Sequence, residues 1–513
     1  MVNSEYTDCG ESPGEQDCLI YQIKNEGVMT TMENKKPFIH LFRTSQDYFM
    51  YDVNRDQIVR LPEAVYCDLK ADAASLGSTA EAAAMISGLK ERGFLKVNRV
   101  EEVEHPETEK LPILLQNSLS QLILQVTQRC NLNCHYCAYS GGYANRTHSQ
   151  KDMTFDTAQA AMDYFRAHSK DSERLAVSFY GGEPLLKMDL IKECIAYCRE
   201  NMEGKPLAFN LTTNGTLLTE PVMRFLVQEN VRLLISLDGP QEIHDRNRRF
   251  AKSDKGSYEV VIRNLKLLKE RYPDFYKDHV SFNAVMDTKD GFKCINDFVM
   301  GSDLFRDSYF GTSTISPRYA EEKVAPATEQ FWIEWEYEIF KLFLSKLNRL
   351  QPSLVSNVVK IQFQDMCAKR LGKRLESAEV LPKKWHHGGP CTPGALRLFV
   401  NAEGRFYPCE RVSEMSEVAC LGDISCGVDC KKADTILNIE RTTHEKCKNC
   451  WAYRYCGVCI AAVDGLNCVD GSLAADECIQ TKDSLEYTFA NYCVLADCGY
   501  DFMDEQLKKT LLV

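Results

Sequence analysis

The chain has 513 residues, 44% of them apolar and 26% charged, which is ordinary for a globular protein and implies two to four domains. Its formal charge of −12 argues against a nucleic-acid partner, and its longest apolar runs are too short to cross a bilayer. Cysteine stands out, with 23 residues of which 13 crowd between Cys391 and Cys498. The polar start lacks the apolar core of a signal peptide, so a cytoplasmic location is expected. In that compartment so many thiols point to metal rather than to disulfides.

Residues 1–36 read as a loose polar lead-in, with Cys9 and Cys18 incidental. Residues 37–105 form a small domain. Ile39–Phe42, Tyr48–Tyr51 and Gln57–Leu61 are short strands, with a turn at Asp52–Asp56. Two helices follow, one starting at Pro62 and one running from Thr79 to Glu91 and stopping at Gly93. Strands followed by helices in this short span resemble the winged-helix recognition element of peptide-modifying enzymes. That resemblance implies leader-peptide binding by strand addition at a sheet edge. Glu101–Asn117 reads as a charged linker.

A strand–helix alternation occupies residues 118–315. Strands are expected at Leu122–Val126, Ala176–Tyr180, Leu207–Thr213, Val231–Leu237, Val280–Val285 and Ser308–Gly311. The helices between them fall at Phe155–His168, Leu185–Arg199, Glu220–Glu229 and Ser257–Glu270. Repeated βα units imply an α/β fold with a parallel sheet, closed or partly closed as a barrel, with chemistry at the C-terminal strand ends. The polar landmarks fall there. Cys130, Cys134 and Cys137 follow the first strand, Gly181-Gly182-Glu183-Pro184 the second, and Thr212–Gly215 the third. Ser236, Asp238, His244 and Arg248 follow the fourth. Three thiolates on one short loop can hold three irons of a [4Fe–4S] cube and leave the fourth open. A zinc knuckle is the plain alternative, but His135 is badly spaced to complete it.

The C-x3-C-x2-C spacing and the strand-end motifs resemble the radical S-adenosylmethionine (SAM) family. The resemblance implies a partial (β/α)6 TIM-type barrel. It implies that Gly181, Gly182 and Glu183 hold the SAM amino group, that Ser236 and Arg248 contact its ribose and carboxylate, and that Tyr136 lies by its adenine. The chemistry implied is hydrogen abstraction by a 5′-deoxyadenosyl radical. Residues 316–385 read as a helical bridge, with an amphipathic aromatic helix from Thr328 to Leu350 whose rings are expected to pack in a core. Residues 386–480 resemble the SPASM domain of radical SAM peptide maturases, and residues 481–513 read as a helical tail. The SPASM pattern implies one auxiliary cluster on Cys391, Cys409 and Cys459, one ligand short. A second would sit on Cys447, Cys450, Cys456 and a later thiol, Cys478 before Cys468. Only two residues separate Cys456 from Cys459, where the family pattern has three. Glu410, directly after Cys409, matches the acidic base of sulfatase-maturing enzymes.

The expectation is a peptide maturase that uses SAM and three [4Fe–4S] clusters. Its substrate would be a ribosomally made, Cys-rich precursor held by its leader, and its electron donor a flavodoxin or ferredoxin. A thioether from a cysteine sulfur to carbon is the expected product, and the Ala138–Gly142 run resembles maturases of Cys-rich clostridial peptides. Carbon–carbon crosslinking, epimerisation and sulfatase-type oxidation are alternatives within the class. An iron–sulfur electron carrier and a zinc adaptor are alternatives outside it.

Overall fold

The structure, a computed structural model, describes residues 36–71, 79–137, 143, 149–202, 204–367, 380–388 and 390–502. Cys9, Cys18 and Ala138–Gly142 lie outside the described residues.

Three antiparallel strands open the described chain: β1 (Ile39–Arg43), β2 (Tyr48–Asp52) and β3 (Gln57–Leu61). The turn after β2 is held by Asp52, whose carboxylate accepts the N–H groups of Arg55 (3.0 Å) and Leu95 (2.9 Å). Helices Glu63–Lys70 and Ala80–Glu91 follow, the second capped by the Thr79 hydroxyl, which accepts the Ala82 N–H (3.1 Å). Alternation then gives the sheet two apolar faces. Met50 and Leu61 pack on the two helices through Val65, Ile86 and Leu89. Phe42, Phe49 and Tyr51 face the other way and share one core with Tyr453, Tyr455 and Phe489 near the far end of the chain.

The charged linker is more ordered than its composition implies. A two-residue strand, β4 (Glu102–Val103), leads to a helix at Leu111–Asn117. Pro112 suits that helix's first turn, and Leu111 and Leu115 are buried.

Six parallel strands, neighbours in chain order, follow: β5 (Gln121–Thr127), β6 (Leu175–Gly181), β7 (Leu207–Thr213), β8 (Arg232–Ser236), β9 (Val280–Met286) and β10 (Phe310–Thr314). Their connecting helices bury apolar stripes against one face of the sheet. The fold is the expected α/β barrel-type sheet, and it does not stop at β10. After β11 (Lys384–Trp385), which pairs with β4, strand β12 (Arg397–Val400) lies parallel to β5 on its free side, with Arg397 opposite Gln121. Antiparallel β13 (Arg405–Tyr407), β14 (Gly422–Asp423) and β15 (Gly427–Val428) continue the same sheet. The Cys-rich region is therefore hydrogen-bonded into the barrel.

The helix expected at Thr328–Leu350 is Glu329–Lys346. Its aromatics do not all pack in a core: Trp332, Tyr337 and Phe340 are 52%, 61% and 58% exposed, while Trp335 and Phe343 pack inward. Among the described residues no helix is long and apolar enough to cross a membrane.

Candidate active site

Strand β5 delivers the three-thiol loop, and three neighbouring strand ends fix it. The Thr127 hydroxyl donates to Asp152 (2.6 Å), and the Arg129 guanidinium grips both oxygens of the same carboxylate. Burial alone would raise the Asp152 carboxyl. Hydrogen bonds from Thr127 and Arg129, with the charge of Lys187, hold it below its ordinary value instead. The Gly182 N–H donates to the Thr127 carbonyl (2.9 Å) and the Glu183 N–H to the Arg129 carbonyl (2.8 Å). These glycines have a steric reason within the protein itself. A Cβ on Gly181 would stand 2.0 Å from the Thr127 oxygen, and one on Gly182 2.2 Å from the Arg129 oxygen. From the β8 side, Asn133 and His135 donate to the Arg249 and Asn247 carbonyls (2.8 and 3.2 Å).

Cys130, Cys134 and Cys137 lie close enough to feel one another's charge. Burial pushes Cys130 up to about 12 and Cys134 up to about 11, the latter despite the Arg248 guanidinium beside it. Burying adjacent thiolates is unfavourable without a metal to carry their charge, so the donor set fits a cationic cluster. The Cys130 sulfur accepts N–H groups from Leu132 (3.4 Å) and the Asn214 side chain (3.9 Å). Asn214 is itself held by Asn131 (2.9 Å), whose amide donates to Thr216 (2.8 Å).

Glu183 is fully buried, and its carboxylate accepts from the Thr213 hydroxyl (2.7 Å) and the N–H groups of Asn214 (2.8 Å) and Leu185 (3.0 Å). Burial still raises its carboxyl above the ordinary value. Asp238, also fully buried, ties together the remaining residues: it accepts from the Tyr136 hydroxyl, from Arg248 Nε (3.0 Å) and from the Val285 N–H (3.1 Å). The Arg248 guanidinium lies 5.4 Å from the centre of the Tyr136 ring. Burial would lower the Arg248 pKa, but Asp238 outweighs it and keeps the guanidinium charged. The roles of Asp238 and Asn214 were not legible, because each sits in a short motif that reads as a plain turn.

Beneath this loop the sheet curves around a cavity of about 1020 Å³. Alternate strand residues face it, including Ser178, Asn210, Ser236 and Asn283. Tyr136 and Ser236 line its upper end, at the C-terminal ends of the strands. The lower end is set by β12 and β13. Because Arg397 pairs with Gln121 and β13 runs back down from Val400, Cys409 lies level with the start of β5. Glu410 lines the cavity there, 3.6 Å from Arg397. Seven residues of β5 therefore separate the two ends, roughly 20 Å at 3.3 Å per residue.

The later thiols form two groups. Cys459 feels the charge of Cys391, and Cys409 that of Cys459. Cys447, Cys450, Cys456 and Cys478 form the other group. The shortened spacing before Cys459 does not remove it from the first group. Cys468 lies in a turn, its carbonyl accepting the Gly465 N–H (3.0 Å). Among the described residues no three cysteine sulfurs lie within 4.8 Å of one another. The tightest ligand-type trio is His386, His387 and Glu440, all buried. It is already engaged: His386 Nδ1 donates to the His387 carbonyl (2.8 Å), and its Nε2 accepts the Glu440 N–H (3.0 Å). The Glu440 carboxylate takes the Tyr453 hydroxyl (2.9 Å) and the His387 N–H (2.6 Å).

Residues 124–297 match the sequence profile of the radical SAM superfamily. This segment is a radical SAM domain. The chain is similar to the cysteine-type anaerobic sulfatase-maturating enzyme of Clostridium novyi, 28% identical over 66% of this chain and 87% of that protein. It is also similar to the radical SAM cyclopropyl synthase TigE of Paramaledivibacter caminithermalis, 25% identical over 41% of this chain and 45% of that protein. Its fold matches that of anSMEcpe solved with AdoMet and a Kp18Cys peptide, covering 74% of this chain and 98% of that one (TM-score 0.55, 20% identity). A radical SAM domain implies SAM and one [4Fe–4S] cluster. The converging loop of Cys130, Cys134 and Cys137 is the group suited to that cluster.

Proposed function

We infer that this radical SAM enzyme modifies a cysteine-containing peptide drawn into the barrel cavity. One observation carries the reading: the cavity is lined by Tyr136 of the Cys130 loop at its upper end and by Glu410 and Arg411, directly after Cys409, at its lower end. Cys130, Cys134 and Cys137 would hold the SAM cluster. Gly181, Gly182, Glu183, Ser236, Arg248 and Tyr136 would surround SAM. The other two thiol groups would hold auxiliary clusters, the second on Cys447, Cys450, Cys456 and Cys478. With these groups bound, the site supplies a hydrogen-abstracting radical at the upper end and an electron acceptor at the lower.

The chain's own residues do the rest. Asp238 and Glu183 lock the upper loops so that the ligand-facing surfaces are formed before binding. Ser178, Asn210 and Asn283 offer hydrogen bonds to an extended backbone in the lumen. Glu410 would take a proton beside the lower thiol group, its carboxylate held by Arg397. The edges of the N-terminal sheet, where β1 and β3 pair only with β2 among the described residues, would receive the peptide leader. A flavodoxin or ferredoxin would supply the electron.

The expected product is a thioether. Similarity to the sulfatase-maturating enzyme, together with Glu410 in the lumen, supports oxidation of the cysteine instead. Mass spectrometry of a cysteine-containing peptide panel after anaerobic turnover separates the two. Thioether formation removes two hydrogens, keeps the sulfur and blocks alkylation by iodoacetamide. Oxidation of the sulfatase type expels the sulfur and leaves an aldehyde. SAM cleavage with every peptide unchanged would defeat both.

A further inference from the structure

The cavity is cationic in a chain whose formal charge is −12. The charged residues lining it are Arg232, Arg318, Arg397, Arg411 and Glu410. Arg318 is engaged by Glu477, to which its Nε donates at 2.8 Å. Arg397 is divided between Gln121 (3.0 Å) and Glu410 (3.6 Å). Arg232 and Arg411 are exposed and form no ion pair among the described residues.

Both unpaired arginines belong to the lower end. Arg232 is the first residue of β8, Arg397 the first of β12, and Arg411 follows Cys409 by two positions. Guanidinium groups at the rim of a low-dielectric cavity focus their field into it. Their paired N–H donors match a carboxylate. A neutral peptide would leave Arg232 without a counterion and Arg411 with only the Cys409 thiol beside it.

We propose that the segment entering the cavity carries a carboxylate, which the Arg232 and Arg411 rim binds at the lower end. This rests on the peptide reading above and names the class of peptide. The carboxylate would come from an Asp or Glu side chain or from the peptide's own C-terminus. It also sets a register. The cavity runs roughly 20 Å, so an extended chain places the carboxylate roughly six residues from the carbon attacked near Ser236.

The test uses the full-length, anaerobically reconstituted enzyme and fluorescein-labelled peptides read by anisotropy. One peptide carries Asp at that register, one carries Asn, and each is made with a free and an amidated C-terminus. The Asp peptide should bind roughly tenfold or more tighter than the Asn peptide, the value of a charged hydrogen bond. Amidation that leaves the advantage intact assigns it to the side chain, and amidation that removes it assigns it to the terminus. The combined Arg232→Gln and Arg411→Gln variant should lose the advantage, while the Lys variants should retain part of it. Equal binding of the acidic and neutral peptides, or an advantage that survives in the Gln variant, overturns the proposal and leaves the peptide reading standing. Succinate is the separating control: binding of succinate that needs Arg232 and Arg411, with no peptide bound, removes the peptide reading and keeps the carboxylate site. Binding of neither peptide nor succinate overturns both.

Discussion

Gly182→Ala tests how the cysteine loop is held. The new Cβ would stand 2.2 Å from the Arg129 oxygen and 2.9 Å from the Gln128 oxygen, where ordinary contact begins near 3.4 Å. Both obstacles are backbone and cannot swing aside, so the segments must part by about 1 Å. The bonds from Gly182 to Thr127 and from Glu183 to Arg129, now 2.9 and 2.8 Å, would then be lost. Each is worth about 1 kcal/mol net, rising to about 1–3 kcal/mol where the loss leaves a buried group unsatisfied. The local penalty is roughly 2–6 kcal/mol, enough to release the loop while the rest of the sheet stays folded. Anaerobic reconstitution should give about four fewer irons per chain than the wild type, with an unchanged far-ultraviolet spectrum and no SAM cleavage. Gly457→Ala is the control, since a Cβ there meets nothing within 4 Å, and its melting should stay within about 0.5 kcal/mol of wild type. A Gly182→Ala enzyme with full iron and full SAM cleavage would refute the clamp.

Wild-type enzyme should reconstitute to about 12 irons per chain. Cys478→Ser should lower that count and Cys468→Ser should not; the reverse pattern would reassign the fourth ligand. Asn214→Ala removes an N–H that stabilises the more negative, reduced state of a Cys130-bound cluster. Its midpoint potential, followed by paramagnetic resonance, should therefore fall, and an unchanged potential would show that the contact is inert. Burial pushes His244 and His386 down to about 4 and His387 to about 3, from an ordinary 6.5. Between pH 6.5 and 4 the unfolded chain takes up these protons and the native chain does not, so stability is lost as pH falls through that window, by up to about 3 kcal/mol per histidine. Glu183 and Glu440, raised by burial, act in the opposite direction. The check is therefore the difference in melting between wild type and His244→Asn from pH 7 to 5, which should narrow as pH falls.

The barrel strands were legible because their apolar runs are bounded by polar strand-end motifs, and β7 matches its expected span from Leu207 to Thr213. The Cys130 loop stood out by its spacing, whereas the two later cysteine groups came from the resemblance to the SPASM pattern. Three things were not legible. The steric demand on Gly181 and Gly182 comes from carbonyls more than fifty residues earlier, which no local pattern reveals. The charge of the lumen comes from arginines scattered between positions 232 and 411, and Arg397 and Arg411 line the same cavity as Arg232 only because β12 joins β5. The outward aromatics of Glu329–Lys346 follow a helical period that reads the same whether the stripe is covered or bare.

The N-terminal sheet and the second thiol group are two sides of one interior. His40 of β1 stacks on Trp451, the residue after Cys450, with ring centres 3.7 Å apart. Arg454 donates to the Val53 and Asn54 carbonyls (2.6 and 2.8 Å), and Tyr455 to Asp56 (2.8 Å). Cutting the chain near residue 105 would strip Phe489 and Tyr453 of their neighbours and wet the ground beneath Cys447 and Cys450. For grafting the leader recognition proposed above, the transplantable cassette is therefore discontinuous. It comprises residues 37–105 together with the segment from Cys447 to Cys493, exchanged as a matched pair.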